Sequence, residues 1–291
     1  MKKELLLASI VMFSINFASF SQSDSLLNML DEETELIKDE TGSFKSTRVI
    51  NLHSVEQVGK GILDFRISHR FGRINSGEYN FFGLDQASIR LALEYGITKK
   101  LMIGIGRSSF EKVFDGFLKY TITNRYFSMV WLSSLNYVSQ NFANPNRNNL
   151  ESARLSYIHQ LLVAKRISEK LSLQFVPTLV HRNFVETKAE ANDVYFLSLA
   201  GRYKISKRVA ITAEYNYTLP GYTADNFYDS FSVGVDIETG GHVFQLHCTN
   251  SQGMIESYYL ARTDGSWERG DIYFGFNVSR VFTLNKKKRG I

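Results

Sequence analysis

Cysteine is almost absent from this 291-residue chain: Cys248 stands alone, which excludes an intramolecular disulfide framework and any cysteine-based zinc cage. Proline is nearly as scarce, at three, which excludes proline-rich linkers. Beyond the amino terminus no run of 18 apolar residues occurs, so a helical membrane span is not expected. What is plentiful is aromatic: 22 Phe and 15 Tyr bring the aromatic share to 13%, a balance that favours strands. Hydrophobic residues at 44% and charged residues at 22% exclude disorder but not a membrane barrel with a polar lining.

The amino terminus reads as an export signal. Lys2 and Lys3 precede an apolar run from Leu5 to Phe20, and Ser19 and Ser21 occupy the small-residue positions of a cut before Gln22. The run is too short and too interrupted by Ser9, Ser14 and Asn16 for a spanning helix, and no cysteine follows it to carry a lipid. Residues 22–44 hold seven acids against Lys38, a net of −6. The rest of the mature chain is therefore basic, near +10, within a total of +5. Without a basic helix or an aromatic-interleaved basic stripe, nucleic acid is not the expected partner; anionic lipopolysaccharide or an anionic solute is.

From Gly61 onward the dominant period is two. Leu63, Phe65, Ile67, His69 and Phe71 alternate with Asp64, Arg66, Ser68 and Arg70, and Ala87 to Tyr95 alternates likewise around Arg90 and Glu94. Equivalent alternation gives twelve strands, near 63–71, 87–95, 101–107, 114–123, 128–138, 151–165, 171–181, 195–204, 209–217, 229–237, 243–250 and 271–282. The apolar phase carries no Asp, Glu, Lys or Arg in its central part. That is expected of a lipid-facing surface, where Lys or Arg at mid-bilayer costs about 2–4 kcal/mol. Alternation alone also suits a soluble sandwich, so connection length decides. Links after the even-numbered strands are short, and the others are long except at 108–113, the rim asymmetry of an outer-membrane barrel in which loops 72–84 and 251–270 are expected to face outside. Three short turns resemble one another: Gly-Ile-Thr-Lys-Lys-Leu (96–101), Arg-Ile-Ser-Glu-Lys-Leu (166–171) and Lys-Ile-Ser-Lys-Arg-Val (204–209). Pro177 within the seventh strand suggests a bulge, Gly104 and Gly106 ease curvature, and Arg280 snorkels at the rim.

The expected organisation is a signal peptide (1–21), an acidic flexible leader (22–43), a mouth segment or partial plug (44–60), an all-β, transmembrane, antiparallel up-and-down barrel of about twelve strands (61–282) and a basic tail (283–291). Lumen-lining candidates are Asp64, Arg66, Arg70, Arg90, Glu94, Lys119, Arg202 and Glu214, with Asp115, Arg154 and Asp236 on the same phase. Arg66, Arg70 and Arg90 are expected to pair with Asp64 and Glu94. Residues 44–60 mix apolar side chains with Arg48, His53 and Glu56, and are expected to dock at the periplasmic mouth, Arg48 and Glu56 pairing with lumen charges.

Phe44-Lys-Ser-Thr-Arg-Val-Ile-Asn-Leu-His-Ser-Val-Glu56, Gly59 to Gly72, Tyr79-Asn-Phe-Phe-Gly-Leu-Asp85, Asp115-Gly-Phe-Leu-Lys-Tyr120 and Phe274 to Phe282 resemble a Bacteroidota family, domain of unknown function 5777. The resemblance implies an outer-membrane-barrel-like protein without an assigned activity or known catalytic residues.

No cofactor or metal is expected. The six histidines lack ligand spacing, since His242 and His247 fall on opposite faces of a strand. Ser109-Phe-Glu-Lys112 has the form of a penicillin-recognising motif but lies between strands, and Gly104-Ile-Gly106 precedes no helix. A lipid hydrolase would need Ser, His and an orienting group on the outer face, and His69 has no outward Ser beside it. The expected function is a narrow pore or transport-associated barrel for small solutes, in the outer membrane, delivered by the barrel assembly machinery. A non-conducting binding or structural barrel is the alternative, and an enzyme is not expected.

Overall fold

The computed structural model describes residues 42–142, 150–188, 190–223, 226–239 and 242–284; the signal, the leader up to residue 41 and the tail beyond 284 lie outside them. Twelve strands form one closed antiparallel barrel: β1 (Ile62–Arg73), β2 (Ala87–Gly96), β3 (Leu101–Ser108), β4 (Val113–Asn124), β5 (Ser128–Val138), β6 (Leu155–Arg166), β7 (Leu171–Arg182), β8 (Asp193–Lys204), β9 (Val209–Thr218), β10 (Ser230–Thr239), β11 (His242–Thr249) and β12 (Tyr273–Thr283). Each strand pairs with its chain neighbours, and β1 closes on β12 from Ile62 opposite Thr283 to Arg73 opposite Tyr273. Closure leaves no unpaired edge, the condition for placing strands in lipid. Among the described residues no helix is long and apolar enough to cross a membrane.

Period two is realised as two surfaces. Leu91, Ile105, Leu118, Trp131, Leu197, Tyr215 and Phe244 point outward and are exposed, whereas Asp64, Arg66, Arg70, Arg90, Glu94, Lys119 and Glu214 point inward and are buried. One short-turn rim carries both ends of the barrel, because the strand count is even; the opposite rim carries the long loops.

Four local readings need correction. Strand β6 starts at Leu155, since Glu151–Arg154 forms a 3-10 turn; Arg154 therefore does not face the lumen but donates to the carbonyls of Val138 and Gln140. Pro177 makes no bulge: register with β8 is continuous through Pro177 opposite Leu197, and on the β6 side the pairing lapses for two residues without shifting. The proline's missing N–H removes rungs but not alignment. Gly104 and Gly106 serve packing more than curvature, because a Cβ at Gly104 would meet the Phe117 ring at 2.3 Å and one at Gly106 would strike the Arg90 guanidinium at 2.7 Å. The long connection 250–272 does not simply face outward. It folds down into the barrel, and residues 253–261 with its short helix Glu256–Tyr259 are buried.

Candidate functional site

The lumen is filled. Residues 43–55 enter from the short-turn rim as a hairpin closed by an Arg48–His53 bridge, with Val49 N–H donating to the Leu52 carbonyl and Ser54 N–H to that of Thr47. Phe44, Val49, Ile50, Leu52, Val55 and Val58 are buried, as is His53.

Wall residues hold the hairpin mainly through its backbone. Glu214 on β9 accepts from the amides of Ile50, Asn51 and Leu52 at 3.0–3.2 Å. Three converging N–H donors form a site suited to a buried carboxylate. Gln245 Nε2 donates to the Val49 carbonyl (2.7 Å), Asn277 Nδ2 to that of Ile50 (3.1 Å) and Gln174 Nε2 to that of His53 (2.7 Å). Thr47 Oγ1 donates to Glu94 Oε2 at 2.5 Å. Lys119 Nζ reaches the carbonyls of Thr47 and Glu56, and Arg66 Nη2 donates to the hydroxyls of Ser46 and Thr47. These contacts satisfy hairpin groups that would otherwise be buried without partners.

The ion pairs differ from those expected. Arg66 lies beside Asp64 (3.3 Å) and Glu94 (3.9 Å), but Arg90 makes a two-pronged pair with Asp115 on β4. Side chains on alternate residues of adjoining strands can reach along the barrel as well as straight across, so sequence phase did not choose the partner. Among the described residues Arg70 meets no carboxylate within 4 Å. It donates to the carbonyls of Ser251 and Gly253 and to Asn51 Oδ1, and lies 3.0 Å from His247 Nε2. Arg202 pairs with Glu238 (2.6 Å) and lies 3.6 Å from Asp236.

Among the described residues Arg48 pairs with no wall charge either. Its Nη1 donates at 3.0 Å to Glu256, which belongs to the infolded 250–272 connection, and His53 Nε2 lies 3.2 Å from the same oxygen. Glu256 thus joins the two segments that close the lumen from opposite ends. Burial and the nearby Arg48 and Lys119 hold the His53 imidazole well below its usual pKa, so it is neutral. Glu56 turns its carboxylate back onto the amides of Ser43 and Phe44.

The wall has sectors. On β5 to β8 the inward phase holds an apolar cluster among polar neighbours such as Gln160, Gln174, Ser198 and Arg202: Val130, Leu132, Ile158, Leu162, Val176, Val180, Val194, Phe196 and Ala200 are buried and cluster with Phe44, Leu52, Val55, Tyr259 and Leu260. On β1 to β4 and β9 to β12 lie most of the inward charges, set among Ser, Thr, Asn and Gln. The apolar sector was legible in runs such as Leu161-Leu-Val-Ala164, because strands buried on both faces read as nearly continuous hydrophobic sequence. Gln174, Gln245, His247 and Asn277 lie on the inward phase, where an uncharged side chain gives no charge contrast with the apolar phase to mark it in the sequence. Glu256 gave no periodic signal, being in a loop.

Two further places hold side chains capable of chemistry. On the outer face Ser133 and His159 are directly opposed, with Ser133 Oγ 3.0 Å from His159 Nδ1 and Trp131 Nε1 donating to the same oxygen. Ser109 precedes a three-residue 3-10 turn, Phe110–Lys112, and its hydroxyl accepts from the Ile89 amide. Among the described residues no cluster of three His, Cys, Asp or Glu side chains is arranged to hold a metal ion.

Among solved structures the chain is similar to the NanC porin (9% identity, 76% of this chain and 98% of that one, TM-score 0.47) and the KdgM porin (13%, 76% and 99%, 0.47). It is also similar to an outer membrane channel from Pseudomonas putida F1 (16%, 78% and 97%, TM-score 0.46). Nothing about solute follows from likeness at this level. Among curated proteins none matches. A family model described as membrane bound beta barrel domain matches residues 44–282, nearly the whole barrel with its inserted hairpin. The chain belongs to this family of membrane-bound β-barrels, DUF5777.

Proposed function

We propose that this protein is an outer-membrane barrel that passes small solutes along the polar side of its lumen, and that residues 44–60 act as its plug in the closed state. A membrane-bound antiparallel barrel with short turns at one rim is an outer-membrane architecture, with those turns in the periplasm. Export by the 1–21 signal, the assembly machinery as delivery partner and a Bacteroidota source belong to the same reading.

One observation carries it: Lys119, Glu214, Gln245 and Asn277, on β4, β9, β11 and β12, spend their side chains on the backbone of a separate segment. Such bonds exchange with water or a solute at modest net cost, about 0.5–1.5 kcal/mol for the amide donors and about 1.5–3 kcal/mol where a charged group takes part. The apolar side is different. Phe44, Val49, Leu52, Val55 and Val58 belong to the apolar cluster, and exposing five such side chains would cost about 8–15 kcal/mol. Full withdrawal of the plug would consume the stability of an ordinary domain. Movement of the hairpin away from the polar wall, hinged on the apolar one, is the smaller step.

The apolar wall itself favours a second reading, a non-conducting binding or structural barrel with a permanent core. Hydrolysis is not favoured. Ser133 is the sixth of eleven residues in β5, so its contact with His159 lies at the hydrocarbon centre, away from lipid ester groups. The two readings part in planar bilayers. The Glu214→Gln, Glu94→Gln double variant, refolded to wild-type heat-modifiable mobility, is expected to open to ion-conducting levels far more often than wild type. Silence from both folded proteins would overturn the pore reading and leave the structural barrel.

A further inference from the structure

The three similar turns remain unused by a pore or a plug, and in the structure they are one motif built three times. Ile97, Ile167 and Ile205 each donate their N–H to the carbonyl of the residue that restarts the chain (Leu101, Leu171, Val209) at 2.8–2.9 Å. The hydroxyl that follows (Thr98, Ser168, Ser206) accepts from the two amides ahead of it, at 3.0–3.3 Å. The carbonyl of the basic residue (Lys100, Lys170, Arg208) accepts from the next hairpin at 2.8 Å, through Thr121, Lys204 and Glu238. With the backbone so occupied, the side chains are displayed in a fixed way. Each isoleucine continues the lipid-facing phase one step past its strand and is exposed, while Lys99, Lys100, Lys170, Lys207 and Arg208 are exposed with no carboxylate within 4 Å among the described residues.

Charge is distributed in one direction. The five short turns hold six bases against the single acid Glu169, a net of +5. The six connections at the opposite rim hold six bases against twelve acids, a net of −6. Lipopolysaccharide, the anionic partner expected from composition, would meet the acidic rim. The basic rim instead combines exposed isoleucines with Tyr126, Phe127 and Tyr203, the mixture that sits at a membrane interface with long cationic side chains reaching to the phosphates.

We propose that the short-turn rim is a docking surface for anionic phospholipid headgroups of the periplasmic leaflet, each repeated turn seating its isoleucine among the acyl chains and its Lys or Arg on lipid phosphate. The outward phase of the isoleucines selects lipid over the chain's own acidic leader, since a soluble peptide has no use for side chains aimed into the bilayer.

The test uses the full mature chain and a variant with Lys99, Lys100, Lys170, Lys207 and Arg208 each replaced by Gln, all exposed positions. Both are refolded into phosphatidylcholine vesicles with and without phosphatidylglycerol. Wild type is expected to gain thermal midpoint with phosphatidylglycerol and to retain that lipid about tenfold over phosphatidylcholine in native mass spectrometry, both effects fading with salt; the variant should show neither. Equal behaviour of the two proteins would overturn the proposal. So would an equal shift from inorganic phosphate at matched ionic strength, or a lipid effect that vanishes only when residues 22–41 are deleted.

Discussion

Glu214 illustrates what one inward side chain does in this barrel. On the strand it is one more polar residue in a period of two, yet in the folded chain it holds the tip of a hairpin by three amides. Glu214→Ala leaves those N–H groups buried without acceptors, so unfolding stability should fall by about 2–3 kcal/mol, with Glu214→Gln milder because its amide oxygen still accepts. Thermal unfolding together with hydrogen exchange at Ile50, Asn51 and Leu52 checks this; unchanged exchange in the alanine variant would mean that the carboxylate does not hold the hairpin. His53 shows the other side of burial. An imidazole kept neutral beside Arg48 and Lys119 contributes a flat polar ring against Phe117, 4.5 Å between centroids, and not a charge.

At the scale of elements, the hairpin depends on how it leaves the lumen. Lys60 bridges Gly96 in parallel, Gly61 N–H donates to the Gly96 carbonyl at 2.8 Å, and a Cβ on Gly96 would lie 2.1 Å from the Gly59 carbonyl oxygen. Backbone meets backbone there, with no flexible side chain to yield. Gly96→Ala should therefore push residues 57–61 off β2 at a cost of about 1–3 kcal/mol. The expected sign is faster protease cleavage near Lys60 in a barrel that keeps its heat-modifiable mobility; cleavage at the wild-type rate would show that the close approach is dispensable. The same comparison of elements explains Pro177. In a strand already aligned by its β8 partner, one absent donor weakens the β6 side without moving it.

For the whole molecule, an even strand count puts both ends of the barrel at the short-turn rim. Epitope tags at 78–82 or 268–269, both exposed, should be reachable on intact cells, and a tag at 206–208 should not. The reverse pattern would invert the orientation. A tag within 253–261 should impair folding, because that stretch is part of the interior and Glu256 bridges it to Arg48 and His53.

The alternation of residues 63–71 and 87–95, the lengths of the links and the repeated Ile-Ser/Thr turns belong to short range. Period two reports which solvent each face meets, and a turn is specified by its own few residues, so the barrel, its strand count and its inward charges were legible along the chain. Which charges meet was not. Arg90 finds Asp115, Arg48 finds Glu256 across 208 positions, and Arg70 finds carbonyls in place of an acid, because partners in a closed lumen are chosen by height, by register and by whatever else has folded inside. The apolar contribution of 44–60 was visible in its composition. That it meets an apolar sector of β5–β8, and that the 250–272 loop descends to meet it, depended on closing the barrel first: only a closed wall of limited radius creates an interior that side chains of distant segments must fill.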